Sequence, residues 1–544
     1  MRRHPVAGAV GLLARQRSAV RRLKRDLFGS DGSLRHPYFR DLRRDLSRPF
    51  DGSTRASLHA ACDRADVVYV GDFHADAECQ YLAARLLESM ARPGRHLALG
   101  IEFVYTRQQE ILDRRQRGAI DDRTFLRRIH YREEWGYPWD GFRDLLDAAR
   151  ALGVRVVALD RPPRGGFDGL RRRDAHAARG IASMLLARPR TAMMVLFGES
   201  HIAQSHLPGQ VEQLLAARGV KRRAITVFQD PEDVYWAALA RDGFVPDTVR
   251  LDGGSFAVFH TPPLARYECY RQVLERWRGE MPADEEADLT PAVHHLMDTL
   301  VGWMGLRPDR HRLRHRAGWV DDLQDAYPEV YSGSDAGQLL GPVLAEHGRS
   351  PAEIREARRL LAARDALYDA RSNTFFLLRY LPGSAAGEAA RFLRIAMSGR
   401  LHRDVDAPAA DPSERMYGAA YNEALAYLGA RLVDPASDFV AGWTDPQPSG
   451  STTRARWLGA HEEFEGSSRL DLPPKLKAPL MRSRDLRRAL ARDLGRRLGR
   501  LLYERVVRGR ISPRRLRTLF EQDLDPPRAR REVLRLLRLA RPWK

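Results

Sequence analysis

Between about residues 56 and 265, short apolar runs alternate with stretches whose apolar residues recur at helical spacing. The runs are Val67–Val70, His96–Phe103, Val154–Leu159, Ala192–Phe197, Ala224–Phe228 and Ser255–Phe259. They lack polar alternation, which predicts strands buried on both faces. The intervening stretches, Ala75–Ala91 and Phe142–Leu152 among them, predict helices. Strands separated by helices imply βαβ units and a mostly parallel sheet. After about residue 266 the strand signals stop. Pro291–Leu306, Pro351–Leu381, Ala385–Met397 and Ser413–Leu432 read as amphipathic helices between Gly/Pro loops. The expected fold class is therefore α/β, a mostly parallel sheet flanked by helices, followed by an all-α C-terminal region.

Two predicted strands end alike. Val67-Val68-Tyr69-Val70 runs into Gly71-Asp72-Phe73-His74, and Met193–Phe197 runs into Gly198-Glu199-Ser200-His201. In open parallel sheets, ligands sit beyond the carboxyl ends of the strands. Gly allows a tight exit and close backbone approach. Each His is expected in the first turn of a following helix, where anions are favoured. A third strand ends in Glu102, and a fourth in Asp160-Arg161. A carboxylate on an apolar strand is costly unless paired, hydrogen-bonded or metal-bound. Four strand ends thus offer His74, His201, Glu102, Asp72, Glu199, Asp160 and Arg161 to one crevice. Two imidazoles with carboxylates suit a divalent first-row metal ion, and equally general acid–base work. One GxxH arises readily by chance; two strand–GxxH units with a strand-end Glu between them do so far less.

Composition narrows the picture. The 544 residues are 43% hydrophobic, and no apolar run reaches the length of a transmembrane segment. Three cysteines, none in a CxxC pair, make no disulfide framework and no cysteine-type zinc site. The net charge of +20 is uneven: residues 1–55 hold 14 Lys+Arg against 5 Asp+Glu, and residues 481–544 hold 21 against 7. The body between them is nearly neutral, so no specific nucleic-acid partner is expected. The basic ends suit a solvated helical face, an acidic partner or an anionic surface. The apolar run Pro5–Ala14 contains Pro and Gly and is followed by dense positive charge with no small-residue cleavage site. This favours a cytoplasmic protein with a basic leader, without excluding secretion.

The motifs VVYVGDFHADAECQ, LALGIEF, HYREEWGYPWDGF, VVALDRP and VLFGESHIAQSHLP carry a family resemblance. Residues about 56–265 resemble the ChaN-like haem-binding uptake domain of the Tiki/TraB/erythromycin-esterase superfamily. Paired GxxH motifs with an intervening Glu are that superfamily's hallmark. The resemblance implies haem or iron binding, or a metal-dependent hydrolase of peptides or esters using the same residues. Family members are typically secreted or lipid-anchored, and the C-terminal half has no counterpart in the family domain.

The resulting organisation is a basic leader (1–55), the ChaN-like α/β domain (56–265), a helical region (266–433), a Pro/Gly/Ser-rich loop (434–474) and a basic helical tail (475–544). Its expected cofactor is haem or a divalent first-row metal ion, and its expected partner haem or a small-molecule or peptide substrate. Whether the chain is an enzyme stays open. His74, His201 and Glu102 are the expected ligands. Glu199 is the candidate base, and Arg161 and Asp160 are candidates to line the crevice. Trp135 and Tyr137, from an aromatic block, are candidates to stack on a planar ligand, and His206 is a further lining candidate. Asp174, His176 and Arg179 read as an exposed or interdomain face. His294 and His295 point about 100° apart on a helix and share no ligand. His311 and His315 have i,i+4 spacing, but flanking arginines oppose a cation.

Overall fold

A computed structural model describes residues 7–29, 36–164, 167–242, 245–277, 288–306, 314–315, 318–319, 323–401, 411–434, 483–522, 524 and 528–540. The chain forms two compact units: residues 21–283, and residues 284–544 together with residues 1–20.

The first unit is built on an eight-stranded sheet. In chain order its strands are β1 (Phe50–Gly52), β2 (Val67–Asp72), β3 (His96–Tyr105), β4 (Arg155–Asp160), β5 (Thr191–Gly198), β6 (Ala224–Gln229), β7 (Thr248–Leu251) and β8 (Phe256–Val258). Their order across the sheet is β1-β7-β8-β6-β2-β5-β3-β4. All pairings from β8 to β4 are parallel, and the six expected strands are all there. β2 and β5 are buried at every position, as their unbroken apolar runs require. The short strands β1 and β7 add an antiparallel edge that their sequences do not announce. Helices Arg55–Arg64, Ala77–Met90 and Asp140–Ala151 turn Leu58, Cys62, Leu82, Leu86, Phe142 and Leu145 into one core against the sheet.

Register is what positions the chemistry. β2 pairs with β5 from Val67 opposite Met193 to Asp72 opposite Gly198, so the two Gly-acid-x-His exits lie side by side. β3 flanks β5 through Ile101 opposite Leu196, which brings Glu102 to the same edge. The β3–β4 register shifts between Ile101 and Tyr105, around Glu102.

The second unit is mainly helical. Helices Thr290–Met304, Pro382–Met397, Pro412–Val433 and Arg484–Val507 form its centre. Leu490, Leu494, Leu498 and Leu502 are buried, each burial stabilising by roughly 1.5–3 kcal/mol relative to exposure. A Cβ on Gly495 or Gly499 would stand 2.8 Å from the carbonyl oxygen of Ala420 or Ala424, so only glycine allows this helix to lie so close to Pro412–Val433. Gln16 donates to the Leu432 carbonyl at 2.9 Å, joining the first residues of the chain to the same unit.

The helix expected over Pro351–Leu381 ends at Arg364. Asp365, with φ 59°, stops it, and Ala366–Asp369 and Thr374–Leu377 form a hairpin that pairs with Glu329–Ser332. The reading failed because ALYD and TFFL are too short and apolar to be told from a buried helix by periodicity. The expected loop over 434–474 lies, after Asp434, outside the described residues, as does His311.

Candidate functional site

Glu102 is the centre of the site. It is 3% exposed and lies within β3, three residues before the strand ends rather than at its end as expected, where the β3–β4 register shifts. Its Oε2 accepts from the Gly198 amide at 2.5 Å, and its Oε1 accepts from the Arg173 guanidinium. His74 Nε2 lies 3.8 Å from Oε2, and His201 Nε2 lies 3.5 Å from Oε1. Two histidines far apart in sequence therefore face one carboxylate, each nearest a different oxygen. Burial alone would raise the Glu102 pKa. The Arg173 charge, then His201 and His74, outweigh it and hold this carboxyl at about 2.

Both imidazoles are oriented the same way. His74 Nδ1 is 2.7 Å from Asp72 Oδ2, and His201 Nδ1 is 2.6 Å from Asp174 Oδ1. An imidazole that donates from Nδ1 to a carboxylate presents the Nε2 lone pair. The supporting carboxylates are themselves held. Asp72 Oδ1 accepts from Gln80, and Asp174 Oδ2 accepts from the Tyr38 hydroxyl at 2.8 Å. Burial opposes a charged His74, but Asp72 and Glu102 outweigh burial and raise its pKa. The Tyr38 phenol is raised by burial, then by Asp174.

The two histidines differ in setting. His74 lies in the turn before the helix Ala77–Met90, whose N-cap is Asp76, and its side chain is 17% exposed. His201 lies in a 3₁₀ turn, Glu199–Ile202, and its side chain is 3% exposed. Neither occupies the first turn of an α-helix as expected, because each exit makes its own turn first. Gly198 is needed for proximity: a Cβ there would stand 3.2 Å from His74 Nε2 and 3.4 Å from Glu102 Oε2.

Trp135 and Tyr137 close over His74, with ring centroids 4.4 and 5.0 Å from the imidazole. The Trp135 indole nitrogen is buried without a hydrogen-bond partner. Arg164 lies over the Trp135 ring at 4.6 Å and donates to Asp160 at 2.8 Å. Asp160 is fully buried and accepts from Arg173 at 2.8 and 3.0 Å. It thus fixes the two arginines.

Other sequence expectations are corrected. Asp174 is not on an exposed face: it is fully buried and orients His201. Arg161 is exposed and turns back to the Pro162 carbonyl at 3.4 Å, so the guanidinium on Glu102 is that of Arg173. Glu199 does not face the imidazoles as a candidate base but is committed to an ion pair with Arg266 at 2.6 Å. His206 does not face Glu102; it stacks on Tyr38 at 3.9 Å and bonds the Ser200 carbonyl at 2.8 Å. His176 meets Thr106 at 2.9 Å, away from the two imidazoles. Tyr38, Gln80, Arg164 and Arg173 escaped sequence reasoning. Tyr38 lies within the supposed leader, and Arg173 is masked by two neighbouring arginines.

The donor set suits haem: an imidazole with a carboxylate on Nδ1 and a free Nε2, flanked by aromatic rings and an unpartnered indole N–H. It suits a divalent ion poorly. Arg173 NH1 lies 3.4 Å from His201 Nε2 while Arg173 also bonds Glu102, so a guanidinium occupies the place between them. Among the described residues, the three ligand atoms of His74, His201 and Glu102 do not gather within 4.8 Å of one another. Among those residues, too, no helix is long and apolar enough to cross a membrane.

No curated protein matches the chain. Two solved structures are similar to parts of it. One is described as "Cofacial heme binding to ChaN of Campylobacter jejuni", at 9% identity and TM-score 0.26, covering 33% of this chain and 87% of that one. The other is the type III effector HopBA1, at 12% identity and TM-score 0.28, covering 40% and 97%. Residues 58–167, which hold His74, Glu102, Trp135, Tyr137 and Asp160, match the family described as haem-binding uptake, Tiki superfamily, ChaN.

Proposed function

We propose that the first unit binds haem through His74, with Trp135 and Tyr137 against the ring. The observation that carries this reading is the setting of His74, the more exposed of the two oriented imidazoles and the one lined by aromatic rings. Bound haem would supply an iron that the His74 imidazole could ligate. The protein's part is to hold the His74 Nε2 lone pair in place through Asp72 and Gln80, and to exclude water with the two rings. The test is an absorption titration with haemin. A Soret shift in the parent protein and in His201→Ala, lost in His74→Ala, supports the reading; an equal shift in His74→Ala refutes it.

A second reading is hydrolysis of an ester or peptide by general acid–base catalysis. It is supported by the paired Asp–His arrangement around Glu102. Here His74 moves a proton at Nε2, and Arg173 neutralises Glu102. Turnover of activated esters lost in His74→Ala, with no haemin response, would favour this reading over the first.

A further inference from the structure

A second cluster lies across β2 from Glu102. Asp230 follows β6, His260 lies two residues past β8, and Cys79 sits in the first turn of Ala77–Met90, the helix after β2. Because β8, β6 and β2 are neighbours, the three meet at the carboxyl edge of the sheet. One donor atom from each lies within 4.8 Å of the other two. Cys79 is 1% and Asp230 2% exposed.

The hydrogen bonds fix the direction of each donor. Gln229 Nε2 donates to the carbonyls of Gly71 at 2.6 Å and Cys79 at 3.1 Å. Those two acceptors settle which end of the amide is nitrogen. Gln229 Oε1 therefore faces His260 Nε2 at 2.9 Å, and that nitrogen must carry the hydrogen. In a neutral ring, His260 Nδ1 is then a lone pair. Asp230 is just as fixed: its Oδ1 accepts from the amides of His260 at 2.8 Å and Thr261 at 3.0 Å. Its Oδ2 is buried, makes no hydrogen bond of ordinary geometry, and stands 3.0 Å from His260 Nδ1. Two facing acceptors need either a proton on Nδ1, which Asp230 favours, or a cation between them; the Thr261 hydroxyl also lies 3.1 Å from Nδ1. Arg266, the nearby guanidinium, is committed to Glu199 and the Asp230 carbonyl.

We propose that Cys79 Sγ, Asp230 Oδ2 and His260 Nδ1 hold a Zn²⁺ ion, with Gln229 as the outer partner of the histidine. Thiolate, imidazole and carboxylate are the donor types zinc prefers, and a metal-bound His usually gives its other N–H to an oxygen. Bond lengths of about 2.0–2.3 Å place tetrahedral donors about 3.5 Å apart, a small contraction of this cluster. Two of the three donors, Cys79 and Asp230, are buried and His260 is partly so; together they fill three of zinc's four tetrahedral positions and leave the fourth to a water. The ion would clip β6, β8 and the helix Ala77–Met90 together. This inference is independent of the haem reading.

The test uses the full chain, stripped with chelator and titrated with Co²⁺ in the absence of haem. A single tight equivalent with a thiolate-to-cobalt charge-transfer band is expected, displaced by Zn²⁺ and unchanged in His74→Ala. Cys79→Ser should abolish the band, and Gln229→Leu should weaken binding about ten- to a hundredfold. Far-UV circular dichroism checks that each variant folds. Absence of the band in the parent protein, or its persistence in folded Cys79→Ser, overturns the proposal and leaves His260–Asp230 as a plain ion pair.

Discussion

Arg173→Met removes the positive charge shared by Glu102 and Asp160 while keeping most of the side chain's volume. Arg173 is 5% exposed and bonds both carboxylates. Breaking a buried pair from one side costs about 3–5 kcal/mol, because the remaining charge is left unpaired. For a unit of this size, that lowers Tm by about 6–20 °C. The pH dependence tests the cause. In the parent protein, Glu102 has a folded pKa of about 2, below its unfolded value. Its contribution, about 3 kcal/mol, is present above the unfolded pKa and fades as pH falls towards 2. Without Arg173 the largest influence opposing burial is gone, so the folded pKa of Glu102 rises and the variant loses less stability than the parent on acidification. Thermal denaturation monitored by circular dichroism at several pH values reads this directly. Glu102→Gln should rescue part of the loss in the double mutant. A pH-independent loss, or one below about 1 kcal/mol, would refute the reasoning.

Gly198→Ala adds a methyl 3.2 Å from His74 Nε2 at a backbone φ of −48° that alanine tolerates; haemin titration should show weakened binding with Tm changed little. Asp72→Asn leaves His74 without its carboxylate, and its haemin affinity should fall about ten- to a hundredfold by the same titration. Tyr38→Phe removes the donor to Asp174 and should cost about 1–3 kcal/mol in chemical denaturation, with His201 more affected than His74 in NMR titration. Gly499→Ala forces a Cβ against Tyr427 and the Ala424 carbonyl, and should destabilise the second unit by about 1–3 kcal/mol in differential scanning calorimetry.

The strands carrying the site were legible because burial on both faces leaves an unbroken apolar run, and β2 and β5 have one. The paired GxxH exits were legible for the same reason: a strand end is where polarity returns. What could not be read was the support. Tyr38 comes from a segment whose composition suggests a basic leader, and nothing local marks it as reaching His201. Arg173 and Asp174 sit in the run Arg171-Arg172-Arg173-Asp174, where only the helix's orientation distinguishes a buried guanidinium from two exposed ones. Arg161, by contrast, was singled out by adjacency to Asp160, and successive residues need not share a direction. The hairpin at 366–377 depended on turns at Asp365 and Asn373, whose left-handed backbones no apolar pattern reveals.

The contact of Gln16 with Leu432 makes the helical unit discontinuous in sequence, with the α/β unit as an insertion between residues 20 and 284. During synthesis the α/β unit can complete itself while the opening segment waits for helices made hundreds of residues later. Closing so long a connection costs little more entropy than a short one, since the cost grows only logarithmically. A separately expressed α/β unit from residue 21 keeps Tyr38, whereas a helical unit begun at residue 284 leaves the Leu432 carbonyl without its Gln16 donor.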